Sequence, residues 1–267
     1  MYYLEKENMD LNLNGKSVLI TGGSKGIGKA VAAQMAAEGC TLHLASRTAA
    51  DLEAVRDELN ATYGAQVTIH AADLSNGDHM RQLAADTAGI DILINNAGAI
   101  PPGDVEKVDE ATWREAWDLK VFGYVNLIRE IYPAMCARGA GVILNVIGTA
   151  GERPVASYIA GSMANASLMA LTVALGGEAP HKGVRVLAVN PGLIETERML
   201  MLGEAQAQEK HGDKTRWREM LENFPDGRAG SVAEVADVVT FLASPRASWV
   251  SGTVLTIDAG MTKRAGL

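Results

Sequence analysis

Seven short apolar runs recur along the chain: SVLITGG at 17–23, TLHLAS at 41–46, VTIHAA at 67–72, IDILINNAG at 90–98, GVILNVIG at 141–148, VRVLAVNPG at 184–192 and TVLTIDAG at 253–260. This rhythm is the strongest constraint on what the sequence can fold into. Each run is too short for an ordinary helix and too continuously apolar for a strand with one wet face, so each is expected to be a strand covered on both sides. Between them lie stretches such as 26–38 and 50–63, whose apolar residues return at three- and four-residue intervals. Their lengths suit crossover connections rather than hairpins. The expected fold is therefore α/β, a doubly wound parallel sheet of about seven strands in a single domain spanning 13–267, after a tail at 1–12. One stretch breaks the rhythm: 195–226 follows a strand with a long, charged, Met-bearing segment.

Composition narrows the function classes. With 24 basic against 32 acidic residues the net charge is -8, which argues against a nucleic-acid groove or an anionic membrane surface, since both need clustered positive charge. Only Cys40 and Cys136 occur, far apart, and His43, His70, His79, His181 and His211 are scattered, so no disulfide framework and no metal site is expected. The opening MYYLEKENMD carries three acids and no apolar core, and no run reaches eighteen uninterrupted apolar residues. Export and membrane spanning are not expected, and the expected location is the cytoplasm.

In sheets of this kind ligands sit beyond the carboxyl ends of the strands, so the first strand-to-helix turn is where chemistry is sought. It reads Thr21-Gly22-Gly23-Ser24-Lys25-Gly26-Ile27-Gly28. Glycines let a phosphate approach the backbone, and the helix that follows offers unpaired N–H groups and partial positive charge. The same stretch also spells GSKGIGK, but Ala30 stands where a nucleoside-triphosphate loop needs a magnesium-binding hydroxyl. At the end of the second strand an acid would bond the ribose of NAD; this chain has Ser46-Arg47 instead. A hydroxyl and a guanidinium suit a 2′-phosphate, and Lys25 offers a second positive charge, so NADP(H) is the expected cofactor.

With TGGSKGIG, Asp73-Leu74 after the third strand, Asn95-Asn96-Ala97-Gly98, Tyr158, and Asn190-Pro191-Gly192 followed by Thr196, the chain closely resembles the short-chain dehydrogenase/reductase family, a Rossmann-type fold. The likeness runs from about 13 to 261 and includes Gly227-Arg228, Glu234-Val235-Ala236, Phe241-Leu242-Ala243 and Ser251-Gly252. The resemblance implies that Asp73 and Leu74 contact the adenine. It implies that Asn96, Ala97 and Gly98 line the cofactor ribose region, and that Pro191, Gly192, Ile194 and Thr196 hold the nicotinamide amide. It also implies a homo-oligomer, tetramer or dimer, with helices near 111–137 and 155–177 at an interface.

The catalytic set departs from the family pattern of Tyr, a Lys four residues on, a Ser at the preceding strand end and an Asn on an earlier helix. Tyr158 is present, but Ser162 holds the Lys position, Gly148 the Ser position with Thr149 beside it, and Lys120 the Asn position. A tyrosine working near neutrality must come down from about 10 to about 7, roughly 4 kcal/mol. An ammonium about 4 Å away supplies approximately that amount at an effective dielectric near 20, whereas a neutral hydrogen bond is worth about 1 kcal/mol. Ser162 alone is inadequate, so Lys120 is expected to project its ammonium into the space of the missing Lys, lowering the Tyr158 pKa and binding nicotinamide ribose. The alternatives are a solvated Lys120 and a packed Tyr158. Thr149 is a candidate to polarise the substrate carbonyl, although a one-residue shift along a strand turns a side chain to the other face.

The expected function is an NADP(H)-dependent oxidoreductase interconverting a carbonyl and a secondary alcohol, with Tyr158 as acid/base. The alternative is a catalytically silent NADP(H)-binding regulatory or scaffold protein. Residues 195–226 are expected to form a substrate lid bearing Met199, Leu200, Met201, Leu202, Trp217, Met220 and Phe224, or else an inserted helical subdomain packed on those residues.

Overall fold

The structure is a computed structural model that describes residues 9–264. The first eight residues of the expected tail lie outside the described residues. From Asp10 the chain is already tied down, its carbonyl accepting from Arg246 Nε at 2.6 Å, and Leu13 is fully buried.

All seven apolar runs form strands: β1 Ser17–Thr21, β2 Thr41–Ser46, β3 Val67–Ala71, β4 Ile92–Asn95, β5 Gly141–Val146, β6 Val184–Pro191 and β7 Val254–Ile257. They pair in parallel in the order β3-β2-β1-β4-β5-β6-β7. Alternation explains why the runs are apolar throughout. Val18 and Ile20 of β1 enter one core with α1 (Gly26–Ala37), α2 (Ala49–Tyr63) and α8 (Val232–Ala243), while Leu19 enters the other with α3 (Gly77–Asp86) and α5 (Gly123–Arg138). The remaining helices are α4 (Glu110–Trp117), α6 (Ile159–Glu178) and α7 (Glu197–His211).

Strand order reverses between β1 and β4, which opens a crevice at their carboxyl ends. The stretch Ile159–Lys182, mostly α6, is long and apolar enough by composition to cross a membrane. One face of it packs on the sheet, with Leu168 beside Ala188 of β6 and with Ser162, Asn165 and Thr172 buried along it, while Met163 and Val173 on it are exposed.

The segment after β6 carries apolar side chains in two settings. Met199 and Trp217 are buried with Ala207 and Leu221, and Leu200 and Phe224 pack on them, so the segment has a small core of its own. Met201, Leu202 and Met220 are left exposed and line the main cavity.

Candidate active site

Two strand ends are stitched together at the switch point. Thr21 Oγ1 accepts from the backbone N–H groups of Asn96 (2.9 Å) and Ala97 (3.0 Å), and Asn96 Nδ2 donates to the carbonyls of Thr21 (3.1 Å) and Gly22 (3.3 Å). A Cβ at Gly28 would collide with the Gly22 carbonyl, so the last glycine of the loop lets α1 start directly against it. The first turn of α1 has neither a capping side chain nor an acid, which leaves its N–H groups and partial positive charge facing the crevice. At the end of β2 the Ser46 hydroxyl is buried without a hydrogen-bond partner, with exposed Arg47 next in the chain. An orphaned buried hydroxyl beside a guanidinium fits a phosphate-bearing ligand, which satisfies both. Lys25 departs from the expectation of a free second charge, since its ammonium lies 3.1 Å from the Asp51 carboxylate. Asp73 accepts from the N–H (3.0 Å) and hydroxyl (2.7 Å) of Ser75, which holds its carboxyl below the usual range, and Leu74 beside it is buried.

A cavity of about 1140 Å³ brings most of the expected site residues together. Gly22, Lys25, Gly26 and Ile27 line it together with Asn96, Ala97 and Gly98 and with Pro191, Gly192, Ile194 and Thr196. Lys120, Thr149 and Tyr158 line it as well, whereas Ser24, Gly28, Ser46, Arg47, Asp73, Leu74 and Ser162 do not. A second cavity of about 790 Å³ shares Thr149, Ala150, Gly192, Leu193 and Ile194 with the first and is walled by the segment around Met261.

Lys120 lies in a single π-helical turn, Asp118–Phe122, between α4 and α5. Its stem passes so close to Gly98 that a Cβ there would come within 2.9 Å of Cδ. The residue is only 8% exposed, and its ammonium donates to the Ile147 carbonyl and to Asn165 Oδ1, both at 2.8 Å. Burial, with Arg198 adding repulsion, brings its pKa from 10.5 to about 8. Asn165 Nδ2 in turn donates to the Gly148 carbonyl (3.3 Å). Gly148 has φ +136°, and a Cβ would approach Asn165 Nδ2 at 3.0 Å. A serine at that position is therefore opposed by the backbone itself.

Tyr158 stands at the entry to α6, with its ring against Gly161, where a Cβ would overlap it. Burial pushes its pKa up, and the one charge that pulls it down is Arg198. Its hydroxyl makes no hydrogen bond among the described residues. The geometry thus corrects two expectations. The Lys120 ammonium is held by Ile147 and Asn165 rather than by Tyr158, because its stem is directed by Gly98 toward the end of β5. Ser162 is buried and exchanges hydrogen bonds with the Val155 backbone (3.0 and 3.3 Å), bracing the turn before the tyrosine. Thr149 reaches the cavity because β5 has ended at Val146 and a 3-10 turn begins at Thr149, so strand alternation no longer governs its direction.

Sequence reasoning missed Asn165 and Arg198. A polar Asn inside the apolar stretch of α6 was one available signal, and a cation in the first turn of α7, opposed to the helix dipole, was the other. Arg198 Nη2 donates to the Ile100 carbonyl at 2.9 Å, which ties α7 to the loop after β4.

Comparison with known proteins agrees with this arrangement. The family profile described as enoyl-(acyl carrier protein) reductase matches residues 22–262. Galactitol 2-dehydrogenase (L-tagatose-forming) of Cereibacter sphaeroides is 36% identical over 258 residues, covering 94% of this chain and 96% of that protein. The 7alpha-hydroxysteroid dehydrogenase of Escherichia coli K12 is 30% identical, covering 94% and 96% respectively. Among solved structures, L-sorbose reductase from Gluconobacter frateurii, complexed with NADPH and L-sorbose, superposes with a TM-score of 0.90 at 30% identity, over 96% of this chain and 100% of that one.

Proposed function

The chain belongs to the short-chain dehydrogenase/reductase family, and on that premise we propose that it is an NADP(H)-dependent oxidoreductase interconverting a carbonyl and a secondary alcohol. The observation that carries this reading is the convergence of Tyr158, Lys120 and Thr149 on the cavity that also holds the glycine loop and the Pro191–Thr196 segment. The cofactor supplies or accepts hydride at its nicotinamide ring. Gly22, Ser24, Lys25, Gly26, Ile27 and Gly28 would hold its phosphates, Ser46 and Arg47 its 2′-phosphate, Asp73 and Leu74 its adenine, and Asn96 to Gly98 its ribose.

In the reductive direction the Tyr158 hydroxyl gives its proton to the substrate oxygen, and in oxidation it takes the proton back. Burial raises the pKa of this hydroxyl, so it keeps its proton at neutral pH and can donate it. An ammonium has three N–H donors; two on Lys120 are committed to Ile147 and Asn165, so the third is available to the substrate oxygen, with the Thr149 hydroxyl on the same wall. Met201, Leu202 and Met220 make the 195–226 segment the substrate-side lid. Exposed Phe122, Met163 and Val173 on helices α4 to α6 and their connections support a homo-oligomer, which sedimentation tests. The enzymatic reading is tested by following NADPH consumption over a panel of ketones and aldehydes: wild type should turn over at least one, and Tyr158→Phe should lose most of that rate at every pH. Cofactor binding without turnover of any carbonyl or alcohol would return the chain to a silent NADP(H)-binding role.

A further inference from the structure

Lys120 and Arg198 are two cations that line the same cavity. The Lys120 ammonium has only neutral acceptors, the Ile147 carbonyl and the Asn165 amide oxygen, and the hydrogen-bonded terminus of Arg198 has only the Ile100 carbonyl. Neither forms an ion pair among the described residues. Glu197 and Glu209 also line the cavity, but both are exposed and paired with neither cation. Leaving the buried Lys120 ammonium unneutralised is costly, chiefly because it is buried, and Arg198, although exposed, lines the same cavity and adds repulsion. An arrangement of this kind is relieved by a bound anion.

We propose that Arg198 is a specificity residue that binds a carboxylate or phosphate carried by the carbonyl substrate, with the charge of Lys120 reinforcing the hold. This rests on the proposed carbonyl chemistry and narrows its substrate class to anionic oxo compounds. Of the five N–H donors on a guanidinium only one is committed to Ile100, so a paired face remains for an oxyanion. The cofactor's own pyrophosphate is a competing source of negative charge, because Thr196, which caps α7, has its methyl 3.4 Å from where a Cβ on Gly26 would stand. Arg198 is directed elsewhere: it is tethered to Ile100, and its charge acts on Tyr158 and Lys120.

The test compares matched pairs, acetoacetate with methyl acetoacetate and dihydroxyacetone phosphate with dihydroxyacetone, in NADPH-dependent turnover and in calorimetric binding to the NADP+-loaded protein. Wild type should prefer the anion of at least one pair, and Arg198→Met should lower that preference by about ten- to a hundredfold, the loss of a charge-assisted hydrogen bond. Arg198→Lys should keep part of it, which separates charge from a merely structural tie between α7 and the loop. A preference for the neutral partner in both pairs, or a preference unchanged in Arg198→Met, overturns the proposal while leaving carbonyl reduction intact. Arg198→Met that instead weakens NADPH binding, with the substrate preference unmoved, assigns the guanidinium to the cofactor and also overturns it. Anion binding that depends on Arg198 with no turnover of any carbonyl would sustain the subsite and defeat the proposed activity.

Discussion

Replacing Lys120 with methionine keeps an apolar stem over Gly98 and removes the ammonium. Two effects on stability then oppose each other. The buried charge costs about 3 kcal/mol at pH 7, judged from the fall of its pKa from 10.5 to about 8, and the variant is relieved of that. In exchange the Ile147 carbonyl and Asn165 Oδ1 lose their donor, about 1–3 kcal/mol each. The net change at pH 7 should therefore stay within about 3 kcal/mol, while kcat for carbonyl reduction falls by about a hundred- to a thousandfold, the usual effect of deleting one donor aimed at a developing oxyanion. The pH dependence carries a definite sign. A lysine whose folded pKa lies below its unfolded value penalises the fold fully below about pH 8, and the penalty is lifted as pH climbs toward 10.5, where the unfolded chain also loses its proton. Denaturant unfolding at a series of pH values should thus show wild type gaining up to about 3 kcal/mol on Lys120→Met between those limits. A flat difference across that interval, or an unchanged kcat, would refute the account of Lys120.

Other positions give independent checks. Arg47→Ala should weaken NADPH about ten- to a hundredfold and NADH far less, read by fluorescence titration; equal wild-type affinity for the two cofactors would remove the 2′-phosphate argument. Gly161→Ala forces the Tyr158 ring off its seat, so kcat should fall at least tenfold with NADPH affinity retained, and unaltered kinetics would mean that the ring has room to spare. His43 and His70, with Nδ1 and Nε2 3.0 Å apart, are both held below the ordinary value of 6.5, chiefly by burial. Their contribution to stability is complete above that value and should decline as pH falls through it toward the folded pKa values. A thermal-unfolding profile of His70→Gln that loses stability in acid as steeply as wild type would count against them.

How far the chain could be read without coordinates depended on the range of the forces involved. The seven strands and their parallel order follow from local pattern, because a strand covered on both faces must be apolar at every position, as Val18, Leu19 and Ile20 are. The glycine loop was equally readable, since the closest steric demand at Gly28 is made by Gly22, six residues away, although the distant Asn96 side chain adds to it. The polar interior was not. Lys120, Asn165, Ile147 and Gly148 meet from three separate elements, and the direction of the ammonium is set by the passage over Gly98 and by a π turn that periodicity does not announce. Arg198 reaches Ile100 across 98 residues of sequence, and Lys25 is claimed by Asp51 on the next helix. Backbone preferences and burial act between neighbours and leave their mark on the linear pattern. Charges act through space, and only the folded chain decides which of them are paired and which are left facing the cavity.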